Sequence, residues 1–347
     1  MVSRLRREVS AVQKLGSLEL GRGIASLAVV AHHAAQSSDA FNSAKFGSYF
    51  HTGALGVDFF FVLSGFIIYH VHQDDSQTLP AAKKFFGKRV HRIYIPYLPI
   101  SLALILAYTA FPSLSQGERE WGLFTSLTLL PTSSPPALSV AWTLVFEMMF
   151  YISFLVFYVS RYFCLVIMVW TAATITSAIL GSTDYMDGAL FRTFLNPLIL
   201  EFVAGMLAAL LFKRMSPGYW ALPTLIGVSL SVCYFMIGDL HRALFGISLA
   251  PLVLGLALAE TKFNFRPPSW ALLLGAASYS IYLIHNPLQS LVARVASGSD
   301  NWTLTFFACF TSGIIAGILY HLWYEKPALR LFRFRDNRRT VQYGITD

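Results

Sequence analysis

Residues Gly56-Val57-Asp58-Phe59-Phe60-Phe61-Val62-Leu63-Ser64-Gly65-Phe66-Ile67-Ile68-Tyr69-His70-Val71-His72 form a dense apolar run. It holds four phenylalanines and a single carboxylate, and its apolar character reaches back to residue 52. Apolar and polar residues do not alternate, so it is not a half-buried strand. A helix of about 20 such residues, rising 1.5 Å per residue, crosses a hydrocarbon core of about 30 Å. The reading is a membrane helix over residues 52–72.

Nine more runs of this kind occur, at residues 20–38, 93–112, 138–160, 162–180, 190–212, 218–238, 243–260, 269–291 and 302–324. The first has polar His32 and His33 in its middle, so it reads as a retained helix and not as a cleaved signal peptide. The 347-residue chain is 55% hydrophobic and only 13% charged, about half the charged share of a soluble domain. Its mean hydropathy is +0.57. These figures exclude a disordered chain, a collagen-like chain and a disulfide-stapled module. The expected fold class is all-α: a polytopic membrane protein of about ten transmembrane helices. It forms one domain over residues 1–347, with a cytoplasmic segment at 1–19, a bundle at 20–324 and a basic tail at 325–347.

Net charge is +8, and the basic residues cluster between apolar runs, which favours membrane flanks over nucleic acid. With the N-terminus placed in the cytoplasm, ten spans put 21 of the 26 Lys and Arg residues inside and five outside. Both termini are therefore expected to be cytoplasmic. Between Pro112 and Pro135, the segment Arg119 to Leu130 reads as a short interfacial helix. The tail from Arg330 to Arg339 reads as lying on the anionic inner leaflet. Cys164, Cys233 and Cys309 lie in apolar runs without metal-ligand spacing, and no metal is expected.

Ionisable groups at bilayer depth are costly and therefore candidates for function. Arg22 and His33, eleven residues apart, share one face of the first helix and lie about 16 Å apart along its axis. A histidine near the bilayer middle can take a proton from a hydroxyl; it can equally be a packing hydrogen-bond partner. His32 points about 100° away from His33, and the packing reading is favoured there. Arg89 and Arg92 share a helix face in a dense basic segment. They read either as a phosphate clamp or as an inner-leaflet anchor. Glu147 could pair with an arginine, orient a histidine or bind a sugar hydroxyl; Asp58 and Glu201 have weaker versions of the same readings, and Asp58 sits near enough to its span's outer end to reach water. Tyr279, Tyr282 and His285, spaced three apart, would form a polar stripe lining a cavity or a hydrogen-bonded interface. His51, His70, His72, His91, His241 and His321 are assigned no chemistry.

These residues, in this order, resemble the acyltransferase-3 family of integral-membrane O-acyltransferases. Five stretches carry the resemblance: Arg22 with ten residues before His33; Gly56 to Phe66; Arg89-Val90-His91-Arg92 followed by Ile93 to Pro96; Trp142-Thr143-Leu144 leading to Glu147; and Ser278 to His285, with Glu325-Lys326-Pro327 closing the last helix. It covers the chain from about Leu18 to Pro327.

The resemblance implies an enzyme that takes an acyl group, usually acetyl, from acyl-CoA and places it on a saccharide hydroxyl. The acceptor would be lipid-linked or polymeric, and the enzyme would sit in the bacterial inner membrane. It looks most like the compact members acting on exopolysaccharide or lipo-oligosaccharide, without the hydrolase-like domain some relatives carry. His33 would be the catalytic histidine, as base or as transient acyl acceptor, and Glu147 the essential glutamate. Arg22, Arg89 and Arg92 would hold the donor CoA. Asp58, Ser64, Trp142, Tyr279, Tyr282 and His285 would line the site. A homodimer is left open, as is the side from which the acceptor arrives. The alternative is a transporter or flippase of lipid-linked sugars, which would need no CoA.

Overall fold

The structure, a computed structural model, describes residues 15–111, 120–181, 188–238, 240–296, 298 and 300–332. Arg119, Lys14 and the arginines at 4, 6 and 7, with the tail beyond Phe332, lie outside the described residues.

Every element among the described residues is helical. In chain order they are α1 (Gly16–Phe41), a 3-10 segment (Gly47–Leu55), α2 (Gly56–His72), α3 (Leu79–Ala110), and the short α4 (Leu123–Thr128). Next come α5 (Trp142–Phe154) with one further turn (Val156–Val159), α6 (Phe163–Leu180) and the short α7 (Ala189–Phe194). The chain continues with α8 (Ile199–Arg214), α9 (Ala221–Ile237), α10 (Arg242–Phe263), α11 (Ser269–Ala296) and α12 (Trp302–Tyr320), which ends in a π-helical turn (His321–Glu325). The expected helical runs all have a counterpart, and the interfacial helix expected over Arg119 to Leu130 has its helical core in α4.

Among the described residues, eight segments are long and apolar enough to cross a membrane, which makes the chain a multi-pass membrane protein. α1 and α11 are missing from those eight, although they have 26 and 28 residues. Their histidines, serines and charged residues lower the hydropathy, and these two helices pack against each other and against α12. The polar residues are thus gathered on helices with protein neighbours.

Two boundaries differ from the sequence reading. The third helix begins at Leu79, not at residue 93, so Lys83 to Arg92 are part of it. Lys and Arg are good helix formers, and hydropathy alone cannot see a helix continuing past the hydrocarbon edge. Thr78 caps its start, accepting from the Ala81 amide at 3.4 Å, and Pro80 occupies the first turn. The run at 190–212 is broken between α7 and α8, where Pro197 denies a backbone donor.

Small residues set the closest approaches. Gly205 of α8 lies against α2, where an added Cβ would sit 2.9 Å from the Phe66 amide nitrogen. Ala204 and Ala208 beside it are also small, the composition that lets membrane helices approach closely. α9 covers α10 and turns Leu225, Val228, Met236 and Ile237 outward, as a lipid-facing helix does.

Asp58 does not reach water. It is fully buried, and Arg242 of α10 holds it with three hydrogen bonds of 2.7 to 3.0 Å while also donating to the Ala54 carbonyl. The apolar wall around it left the carboxylate a guanidinium as its compensation, so it staples α2 to α10. Glu201 of α8, also fully buried, lies beside this pair with its carboxyl group against that of Asp58.

Candidate active site

α1, α2, α3, α5 and α11 enclose a cavity of about 190 Å³. Its polar lining comes from Arg22, Ser64, Arg89, Arg92, Thr143, Glu147, Tyr151, Ser278, Tyr279 and Tyr282, set among Phe60, Phe61, Leu63, Ile67 and Leu144. Seven of the residues singled out in the sequence meet here, from five separate helices: Arg22, Ser64, Arg89, Arg92, Glu147, Tyr279 and Tyr282.

The three arginines are not equivalent. Arg22 forms an ion pair with Glu19 at 3.4 Å, one turn away. Arg92 is ion-paired with the fully buried Glu325, whose other oxygen accepts from Ser280 Oγ at 2.6 Å and lies 2.7 Å from His321 Nδ1. Its guanidinium also lies over the Tyr279 ring at 5.6 Å. Arg89 has no carboxylate partner among the described residues. Its Nη2 donates to His72 Nε2 at 3.0 Å, and its guanidinium lies 5.7 Å from the centre of the Phe85 ring. His72 in turn gives Nδ1 to Asp75 at 2.7 Å, which fixes Nε2 as the acceptor. Arg89 therefore keeps its charge available for an anion.

Glu147 accepts from Tyr151 Oη and from Ser64 Oγ, the latter at 3.4 Å, and has no ion-pair partner among the described residues. At the far end of the cavity, Tyr282 Oη is held by Thr143 and by the Val140 carbonyl, both at 2.9 Å. The Tyr282 ring lies 5.8 Å from that of His285.

His33 and His285 do not line the cavity; they adjoin its Tyr282 end. His285 Nε2 lies 3.1 Å from His33 Nδ1. His285 Nδ1 lies 3.0 Å from the Ile281 carbonyl, which can only accept, so Nδ1 carries the proton. Neutral His285 then presents a lone pair at Nε2, and His33 Nδ1–H donates to it and to the Val29 carbonyl at 3.1 Å. His33 is left with a lone pair on Nε2, the form a general base needs. The row continues toward the 3-10 segment: His32 lies 5.1 Å from His33 and 5.7 Å from His51, ring centre to ring centre.

Besides His285, two expected lining residues are not in the cavity wall. Asp58 is in its staple with Arg242, and Trp142 packs edge-on against Phe61 and Phe146 at 6.3 and 5.8 Å. Sequence reasoning missed His72, Tyr151 and His321, and treated Glu325 only as part of a closing motif. For Tyr151 a signal existed, since it stands one helical turn after Glu147.

The sequence profile of the acyltransferase-3 domain matches residues 15–323, which span all five helices of this cavity. The chain belongs to the acyltransferase-3 family. It is a membrane acyltransferase, and that sets the transporter reading aside. The chain is 33% identical to the exopolysaccharide production protein ExoZ of Rhizobium meliloti strain 1021, over 87% of this chain and 96% of the relative. It is 27% identical to the acyltransferase MdmB of Streptomyces mycarofaciens, over 97% of each. It is 24% identical to the peptidoglycan O-acetyltransferase OatA of Listeria monocytogenes, over 79% of this chain but only 49% of that protein. No solved structure is significantly similar.

Proposed function

We propose that this acyltransferase moves an acetyl group from acetyl-CoA to a hydroxyl of a bacterial surface saccharide, within the inner membrane and with both termini in the cytoplasm. One observation carries the reading: arginines gather at one end of a buried cavity whose other end adjoins a histidine with its tautomer fixed. The similarity to ExoZ supports a saccharide acceptor of the exopolysaccharide class, lipid-linked or polymeric.

Acetyl-CoA enters from the cytoplasmic side. Its diphosphate binds Arg89, with Arg92 and Arg22 adding to the positive field. The pantetheine arm, about 15–20 Å long, runs along the apolar walls, matching the axial distance of about 16 Å from Arg22 to His33. The thioester then stands at the Tyr282 end. His33 Nε2 removes the acceptor hydroxyl proton, the alkoxide oxygen attacks the thioester carbonyl, and the carbon–sulfur bond breaks. The imidazolium returns the proton to the leaving thiolate, giving an O-acetyl saccharide and free CoA. His285 holds the His33 ring in place, and Glu147 with Tyr151 and Ser64 offers acceptors and donors for the arm or the sugar.

The test is made in the cell. Deleting the gene from its host should remove base-labile acetate from the extracted surface polysaccharide. The wild-type gene should restore it, and a His33→Ala gene expressed at the same level should not. Restoration by His33→Ala would end the role given to this histidine. Unchanged acetate after deletion would end the acceptor assignment.

A further inference from the structure

A second cavity, of about 320 Å³, opens on the end of the molecule that carries Arg22 and Arg89. It lies between the end of α2 and the start of α3, and its lining includes His72, Asp75, Ala81, Lys84, Phe85 and Lys88.

Three observations define what it would hold. First, it adjoins the buried cavity: His72 lines the outer one, Arg89 lines the inner one, and the two side chains are hydrogen-bonded at 3.0 Å. Second, its charge is cationic and ordered. Lys84, Lys88 and Arg92 follow at four-residue intervals on α3, so they stand on one helix face and lead from the outer cavity into the inner one. Lys88 is exposed. Third, Asp75, the carboxylate in its described lining, is held by other groups: it receives His72 Nδ1 at 2.7 Å and Tyr158 Oη at 2.8 Å. Ala81, Phe85 and Val71 give it an apolar wall.

We propose that this outer cavity is the site for the 3′-phosphoadenosine end of the donor, with Lys84 and Lys88 taking the 3′-phosphate and the apolar wall the base. The inference rests on the acyl-CoA reading above and extends it. CoA has two phosphate groups separated by a ribose, and the chain has two cation groups separated by the His72–Arg89 contact. Arg89 at the seam takes the diphosphate, and the lysines beyond it take the 3′-phosphate. A volume of about 320 Å³ suits the nucleoside portion of a ligand and is in the range of ordinary small-molecule sites.

The experiment uses full-length protein in nanodiscs of neutral phosphatidylcholine, where no anionic headgroup competes. Binding of acetyl-CoA is compared with that of acetyl-dephospho-CoA, which lacks only the 3′-phosphate. Wild-type protein should prefer acetyl-CoA by roughly three- to tenfold, since the lysine contacts are partly exposed to water. The double variant Lys84→Ala/Lys88→Ala should lose this preference while binding the dephospho donor as wild type does. Arg89→Ala should weaken both donors alike and keep the preference. Lys213→Ala removes a lysine that is ion-paired with Asp74 outside the cavity, and should change nothing. A wild-type protein that binds both donors equally, or a preference that survives the double variant, would overturn the nucleotide site and leave the acyl-CoA reading intact. A folded wild-type protein that binds neither donor would overturn both.

Discussion

At the residue scale, the group on which the proposal turns is His33: its Nδ1 is engaged by His285 and the Val29 carbonyl, which leaves Nε2 for the proposed role as base. His285 is fully buried and touches His33, so in the proposed mechanism it is a positioning residue that acts through His33. His285→Ala should lower kcat by about a hundredfold or more and leave the KM for acetyl-CoA within about twofold, because a base that is no longer oriented loses chemistry and not donor binding. Steady-state kinetics on purified protein checks this; a raised KM at constant kcat would mean that His285 serves binding. The pairings of Arg92 with Glu325 and of Arg89 with His72 could not be read in the sequence. Each joins residues far apart in the chain, 233 and 17 positions respectively, and depends on how the helices pack. Arg22 and His33 were legible because a single helix fixes their spacing.

At the element scale, the bundle depends on close helix contacts and on buried polar staples. Gly205 on α8 lies so close to the α2 backbone that Gly205→Val must push the two helices apart. A cost of about 1–3 kcal/mol is expected, read as a lower melting temperature in detergent. An unchanged melting temperature would show that α2 and α8 do not pack this closely. Arg242→Ala would strand the Asp58 carboxylate at 0% exposure, a change that costs about 3 kcal/mol or more when one partner of a buried pair is lost. Arg242→Ala with Asp58→Asn should recover much of that loss in the same melting assay. The sequence showed that α2 was a span, because its phenylalanines dominate its hydropathy. It did not show where Asp58 would go, since a carboxylate near a helix end can face either water or another helix.

At the scale of the whole molecule, the charge distribution sets orientation. Tyr49 in the 3-10 segment is 80% exposed at the end opposite Arg22, and Lys83 is exposed on the basic start of α3. In a background with Cys164, Cys233 and Cys309 replaced, a membrane-impermeant maleimide should label Tyr49→Cys in intact spheroplasts. It should label Lys83→Cys only after permeabilisation. The reverse pattern would invert the molecule and move the donor entrance to the outer face. The polar helices α1 and α11 illustrate how fold and function compete within one chain. Their ionisable residues lower the hydropathy that would mark them as spans, and the neighbouring helices compensate by packing around them.

Donor binding is decided by a calorimetric titration of acetyl-CoA into purified wild-type, Arg89→Ala and His33→Ala protein. Wild type should bind, Arg89→Ala should bind about ten- to a hundredfold more weakly through loss of a charge-assisted phosphate contact, and His33→Ala should bind as wild type does. A well-folded wild-type protein that takes up no acetyl-CoA, or an affinity indifferent to Arg89, would rule out the cavity as the donor site.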